Sequence, residues 1–91
     1  MQLRWTEEAA TDLERIADYL FEHVPERAPA LVRAIYDAPC TLLTFPHQGR
    51  PGKMEGTREL VLSPLPYVVI YAVRGDAIFI VRILHGAQQW P

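Results

Sequence analysis

The sequence predicts an α+β domain in the order β-α-α-β-β-β, with a helical hairpin packed on a small twisted antiparallel sheet. Three observations predict it. Residues 9–24 repeat apolar side chains at helical spacing. Residues 58–85 hold three apolar runs separated by two turn signals. The stretch 47–57, with three glycines and one proline, suits neither pattern and reads as a loop.

Each element has its own justification. Gln2-Leu3-Arg4-Trp5 alternates and reads as a short strand. Thr6 then suits a helix N-cap, with Glu7 and Glu8 in the first turn, where negative charge complements the helix dipole. Ala9, Leu13, Ile16, Ala17, Leu20 and Val24 form the apolar stripe, acids and Arg15 fill the other face, and Pro25 ends the helix. A second helix begins near Glu26 to Ala28, with Pro29 tolerated in its first turn. Its buried stripe is Leu31, Ile35, Ala38 and Leu42. Pro39 deletes a backbone hydrogen bond, so a kink or an early finish is expected there, and Phe45-Pro46 closes the element. The short break at Pro25 makes the two helices an antiparallel hairpin. Strands follow at about 57–63, 67–74 and 77–85, joined by Ser63-Pro64-Leu65-Pro66 and by a tight turn at Arg74-Gly75-Asp76. The last two strands are nearly continuous apolar runs, as expected of a sheet covered by helices.

Ninety-one residues are expected to make one domain over 1–91, burying roughly two thirds of the unfolded surface. A hydrophobic content of 49% with 22% charge argues against disorder. No apolar run approaches the ~20 residues that cross a bilayer, so no membrane partner is expected. Glu7 and Glu8 fall where a signal peptide would have its apolar core, and the single cysteine, Cys40, has no internal disulfide partner. The expected compartment is the cytoplasm. The net charge of −2 hides an asymmetry: residues 1–45 carry −4 and residues 46–91 carry +2. A general nucleic-acid binder is usually basic throughout. Here any such contact must come from a local patch or through a larger partner.

Four segments carry a family resemblance: Gly49-Arg50-Pro51-Gly52, Glu55-Gly56-Thr57-Arg58-Glu59-Leu60, Tyr67-Val68-Val69-Ile70-Tyr71 and Ile80-Val81-Arg82-Ile83-Leu84-His85-Gly86. In this order, behind a helical hairpin, they resemble the RelE/ParE superfamily of bacterial toxins from type II toxin–antitoxin pairs. The resemblance implies a helical hairpin on a small twisted sheet. It also implies a hetero-oligomer with a cognate antitoxin, whose extended or helical tail wraps the toxin and neutralises it. Two activities occur in the superfamily. RelE-like members cut messenger RNA inside the ribosome, and ParE-like members poison DNA gyrase.

Cleavage by 2′-hydroxyl attack needs a base, a stabiliser for the phosphorane and an acid for the leaving oxygen. Arg58 matches a basic position of the RelE-like enzymes, but Leu60 and Val68 stand where they carry further bases. Ala87, Gln88, Gln89 and Trp90 stand where they carry arginines and a tyrosine. Close to these positions, only His85 is of a residue type suited to acid or base work near neutral pH. In a ribonuclease, Arg58 and Arg82, brought together by the meander, would hold the phosphate and His85 would move a proton. Alternatively, both arginines pair with Glu55 or Glu59 on the sheet surface. Arg50, Lys53, Arg58, Arg82 and Trp90 are the candidate target-binding residues, with Arg50 and Lys53 on the glycine-bearing loop facing the target. Cys40 and Trp5 are expected in the core, and His23 and His47 in ordinary surface positions. The scattered histidines and the lone cysteine give no metal-ligand spacing, so neither metal nor cofactor is expected. The strand Tyr67–Tyr71, the Arg82–His85 end and the acidic net charge favour a ParE-like toxin acting on gyrase. A ribosome-dependent endoribonuclease and a non-toxic antitoxin-binding module are the alternatives.

Overall fold

The computed structural model describes residues 1–86, 88, 90 and 91. Its elements are β1 (Gln2–Trp5), α1 (Glu7–His23), α2 (Ala28–Asp37), a 3-10 stretch (Ala38–Leu43), β2 (Arg50–Pro51), β3 (Arg58–Val61), β4 (Tyr67–Arg74) and β5 (Ala77–His85). Thr6 starts α1 as its chemistry suggests. Its Oγ1 accepts the Ala9 N–H at 3.1 Å and lies 3.0 and 3.1 Å from the carbonyls of Ile80 and Val81, to which the hydroxyl donates. One hydroxyl therefore caps the helix and ties it to β5. Pro39 shows its effect as a change of winding: α2 ends at Asp37 and the chain tightens into the 3-10 stretch.

One expectation is corrected in this stretch. Cys40 is exposed, not a core residue. Pro39 and Leu42 take the buried side of the stretch, and Cys40, two residues before Leu42 on a helical winding, falls on the outward side. Trp5 lies at the margin of the core, partly buried, with its ring stacked on Tyr36 at a centroid distance of 5.5 Å.

The sheet has the order β1-β5-β4-β3-β2. The meander β3-β4-β5 is antiparallel, as expected, and Gly75 (φ 60°) occupies the left-handed position of its tight turn. Two features add to the sequence-based picture. β1 pairs parallel with β5, from Gln2 opposite Ala77 to Trp5 opposite Ile80, so the sheet is mixed. The stretch read as a loop contributes β2, in which Arg50 lies opposite Glu59 and Pro51 opposite Arg58. Pro51 is tolerated because β2 is an edge strand. A bulge between Ile70 and Tyr71 interrupts the β4–β5 register: Ile70 faces Arg82, whereas Tyr71 faces Ile80.

One face of the sheet presents Leu60, Val69, Tyr71, Ile78, Ile80 and Ile83 to the helical hairpin, which contributes Ala9, Leu20, Ala28 and Ile35, and to Leu42 of the 3-10 stretch. Burial of each large aliphatic side chain stabilises the fold by about 1.5–3 kcal/mol relative to exposure. A charged group sits at the margin of this core. Asp12, only 8% exposed, lies on the first half of α1 above β5. Its Oδ2 accepts from Arg82 Nε at 2.7 Å and from the Ile83 N–H at 2.9 Å, and its Oδ1 accepts from Arg82 Nη2 at 3.1 Å. β1 stops at Trp5, so β5 beyond Ile80 lacks a strand neighbour on that side. The carboxylate occupies the place that strand would have filled.

Asp12→Ala would leave the Arg82 guanidinium and the Ile83 N–H without their partner. A loss of about 3 kcal/mol is expected in urea unfolding at neutral pH, the lower end for breaking a buried pair because Arg82 is partly solvated. A loss below about 1 kcal/mol would show that water replaces the carboxylate.

Candidate functional site

Strand alternation sends Val68, Ile70 and Leu84 to the face of the sheet away from the helices. Together with Arg50 and Lys53 from the 47–57 stretch and Trp90 from the tail, they line a pocket of about 140 Å³. Arg50 Nε donates to Glu59 Oε1 at 2.9 Å, across the register that pairs the two residues. Lys53 is exposed and has no ion-pair partner among the described residues. His85 stands at the edge of the pocket, exposed, opposite Tyr67, with the two rings edge to face at 6.0 Å. Its backbone N–H donates to Gln88 Oε1 at 2.7 Å, which draws the tail back toward the strand end. The sequence-derived candidates Arg50, Lys53, His85 and Trp90 are therefore brought together.

Arg58 and Arg82 are not. β4 lies between their strands, and each guanidinium has its own partners. Arg82 binds Asp12 instead of Glu55 or Glu59, and this hydrogen bond, opposed by partial desolvation, raises its pKa above the usual arginine value. Arg58 Nη1 donates to the Gly49 carbonyl at 2.6 Å and to the His47 carbonyl at 3.4 Å. Neither arginine pairs with the glutamates that sequence proximity suggested. Ala87 and Gln89, two of the positions where the RelE-like enzymes carry other side chains, lie outside the described residues.

Sequence reasoning missed two further participants in this geometry. Tyr71 is fully buried, and its hydroxyl accepts the Gly49 N–H at 2.9 Å and donates to the Pro46 carbonyl at 2.8 Å. With Arg58, it bolts residues 46–49 to the sheet and so sets the start of β2 and the direction of Arg50. The close approach requires glycine at 49, because a Cβ there would lie 2.7 Å from both the Glu59 carbonyl oxygen and Tyr71 Cε1. The available signal was the tyrosine itself, since a hydroxyl inside an apolar strand must find a partner. Asp12 is the second, and its signal was an acid falling within the apolar stripe between Ala9 and Leu13.

On the other side of His85, a wider apolar groove of about 530 Å³ runs between the helical hairpin and the β3–β4 connection, with Ile16, Leu31 and Leu65 among its walls. Tyr67 borders it. Burial, with a smaller contribution from Tyr19, pushes the Tyr67 phenol above its ordinary value. Among the described residues, no group of three or more His, Cys, Asp or Glu side chains could hold a metal ion. Among the same residues, no helix is long and apolar enough to cross a membrane.

A helical hairpin on a five-stranded mixed sheet, with the first strand parallel to the last, defines an α+β domain of the RelE/ParE type. The chain belongs to the ParE toxin family: the family described as the ParE toxin of the type II toxin–antitoxin system parDE matches residues 3–90. It is similar to Y4kP of Sinorhizobium fredii, 38% identical over 90 residues that cover 99% of this chain and 93% of that protein. It is also similar to toxin RelE2 of Caulobacter vibrioides, 37% identical over 87 residues that cover 96% of this chain and 97% of that one. Among solved structures it resembles a chain of the chromosomal ParDE toxin–antitoxin system of P. aeruginosa. The TM-score is 0.87 at 35% identity, covering 93% of this chain and 95% of that chain.

Tyr71→Phe keeps the ring and removes both hydroxyl bonds. The expected loss of stability is about 1–3 kcal/mol, with faster hydrogen exchange at the Gly49 and Arg50 amides than elsewhere in the sheet. Unchanged exchange at those amides would show that the loop holds its place without the tyrosine.

Proposed function

We propose that this ParE-family toxin is neutralised by a cognate antitoxin and acts by poisoning DNA gyrase, not by cutting messenger RNA on the ribosome. Two things support an antitoxin partner. The related P. aeruginosa chain belongs to a ParDE system, and the apolar groove beside α1 offers a partner's apolar stripe a surface to cover. The choice of target rests on one observation: the arginines that RNA cleavage would need have other partners. Stabilising a phosphorane takes donors aimed at it before the reaction begins. Arg82 gives two N–H groups to Asp12, and Arg58 is drawn to backbone carbonyls. Leu60 and Val68 supply no charge. His85 remains, and one imidazole does not fill the roles of base, stabiliser and acid together. The name RelE2 carried by one relative does not alter this, because Arg58 and Arg82 keep these partners whatever the relative is called.

The test is a supercoiling assay with purified gyrase, with and without the antitoxin. Inhibition accompanied by trapped cleaved DNA, and relieved by the antitoxin, is the expected result. Unaffected supercoiling by a folded, toxic protein would overturn the gyrase reading and redirect attention to ribosome-dependent messenger cleavage.

A further inference from the structure

We propose that the pocket on the open face of the sheet receives an acidic, apolar-tipped segment of the target protein, with Lys53 as its charge anchor. The proposal rests on the gyrase reading above and gives it a contact surface.

Charge sets the chemistry of the occupant. The pocket rim carries Arg50 and Lys53, and its one nearby acid, Glu59, is already paired with Arg50. Lys53 is left as a net positive charge. The acids of α1 lie on the helical side of the sheet, so an acidic segment is attracted to this face and repelled from the other. The apolar floor of Val68, Ile70 and Leu84 adds the second requirement. Its volume of about 140 Å³ is well below the roughly 300–1,000 Å³ of small-molecule sites. That is space for one anchoring side chain, the kind of buried contact that dominates protein–protein affinity. A nucleic-acid backbone would need several cations in register to neutralise successive phosphates, and this rim does not offer them.

The pocket is also held in shape before anything binds. Tyr71 and Arg58 fix residues 46–49 to the sheet, and β2 carries that order into Arg50. A wall already ordered loses little conformational freedom on binding.

The experiment compares the full-length toxin with Lys53→Glu and Val68→Asp. The readouts are binding to purified gyrase without DNA, and inhibition of supercoiling. Both residues are at least partly solvent-exposed, and a thermal melt checks that both variants fold. Each variant is expected to weaken gyrase binding and raise the half-inhibitory concentration at least tenfold, with antitoxin affinity unchanged. The Lys53→Glu defect should shrink as salt screens the charge. Arg33→Glu, the same charge change on the helical hairpin, should leave gyrase binding intact. Variants that inhibit like the parent overturn the pocket alone. A parent toxin that binds gyrase only when DNA is present also overturns the pocket, because the occupant is then not a protein segment. A parent with no effect on gyrase removes the target reading and the pocket together.

Discussion

The carboxylate of Asp12 meets three donors at the point where the sheet would otherwise be left open. β1 is four residues long and β5 is nine. The far half of β5 therefore has an unpaired edge under the first turns of α1. An uncovered edge exposes backbone donors and invites pairing with another chain. Thr6 and Asp12, both near the start of α1, cover it from above with a hydroxyl and a carboxylate. That fixes the helix over β5, and α2 follows through the tight break at Pro25. The helical wall of the apolar groove depends on this placement. A lone buried carboxylate would be costly; Arg82 and the Ile83 N–H make it tolerable, and the arginine is engaged as a result.

A second constraint works toward the opposite edge of the sheet. Tyr71 points into the core yet sends its hydroxyl to the backbone at Pro46 and Gly49. Arg58, its register partner on β3, reaches the same short segment. The core and the charged loop are therefore one unit: the tyrosine that fills the centre of the sheet also aims Arg50. This division leaves an apolar groove on the helical side and a basic, apolar-floored pocket on the open face. In the proposed reading, antitoxin and target have separate surfaces available, with His85 bordering both.

Much of the fold was legible in the sequence because its signals are local. The N-cap at Thr6, the stripe of α1, the break at Pro25, the disturbance at Pro39 and the tight turn at Gly75 each follow from a few neighbouring residues. The parallel β1–β5 pair was not legible, since it joins opposite ends of the chain and a four-residue strand has no periodicity that names its partner. β2 was hidden by its own composition, because two residues between glycines read as loop. The site was legible in part. Arg50, Lys53, His85 and Trp90 were singled out by residue type, and they share one pocket. The partners of Arg58 and Arg82 were not legible. Glu55 and Glu59 were the partners expected on the sheet surface, whereas the fold supplied backbone carbonyls and an aspartate seventy positions away. Cys40 was misplaced because residue type was read in place of position: two residues before Leu42, it falls off the apolar stripe at either winding.

The most direct test of this account is the double variant Asp12→Asn with Arg82→Gln, assayed for folding and for gyrase inhibition. The asparagine can still accept the Ile83 N–H, and the glutamine can donate to it, so the edge stays covered while both charges disappear. If the proposed gyrase reading holds and Arg82 serves the fold, the double variant folds cooperatively and inhibits gyrase like the parent, although Asp12→Ala alone is destabilised. A folded double variant that has lost inhibition would contradict the account, because the positive charge of Arg82 would then act on the target itself.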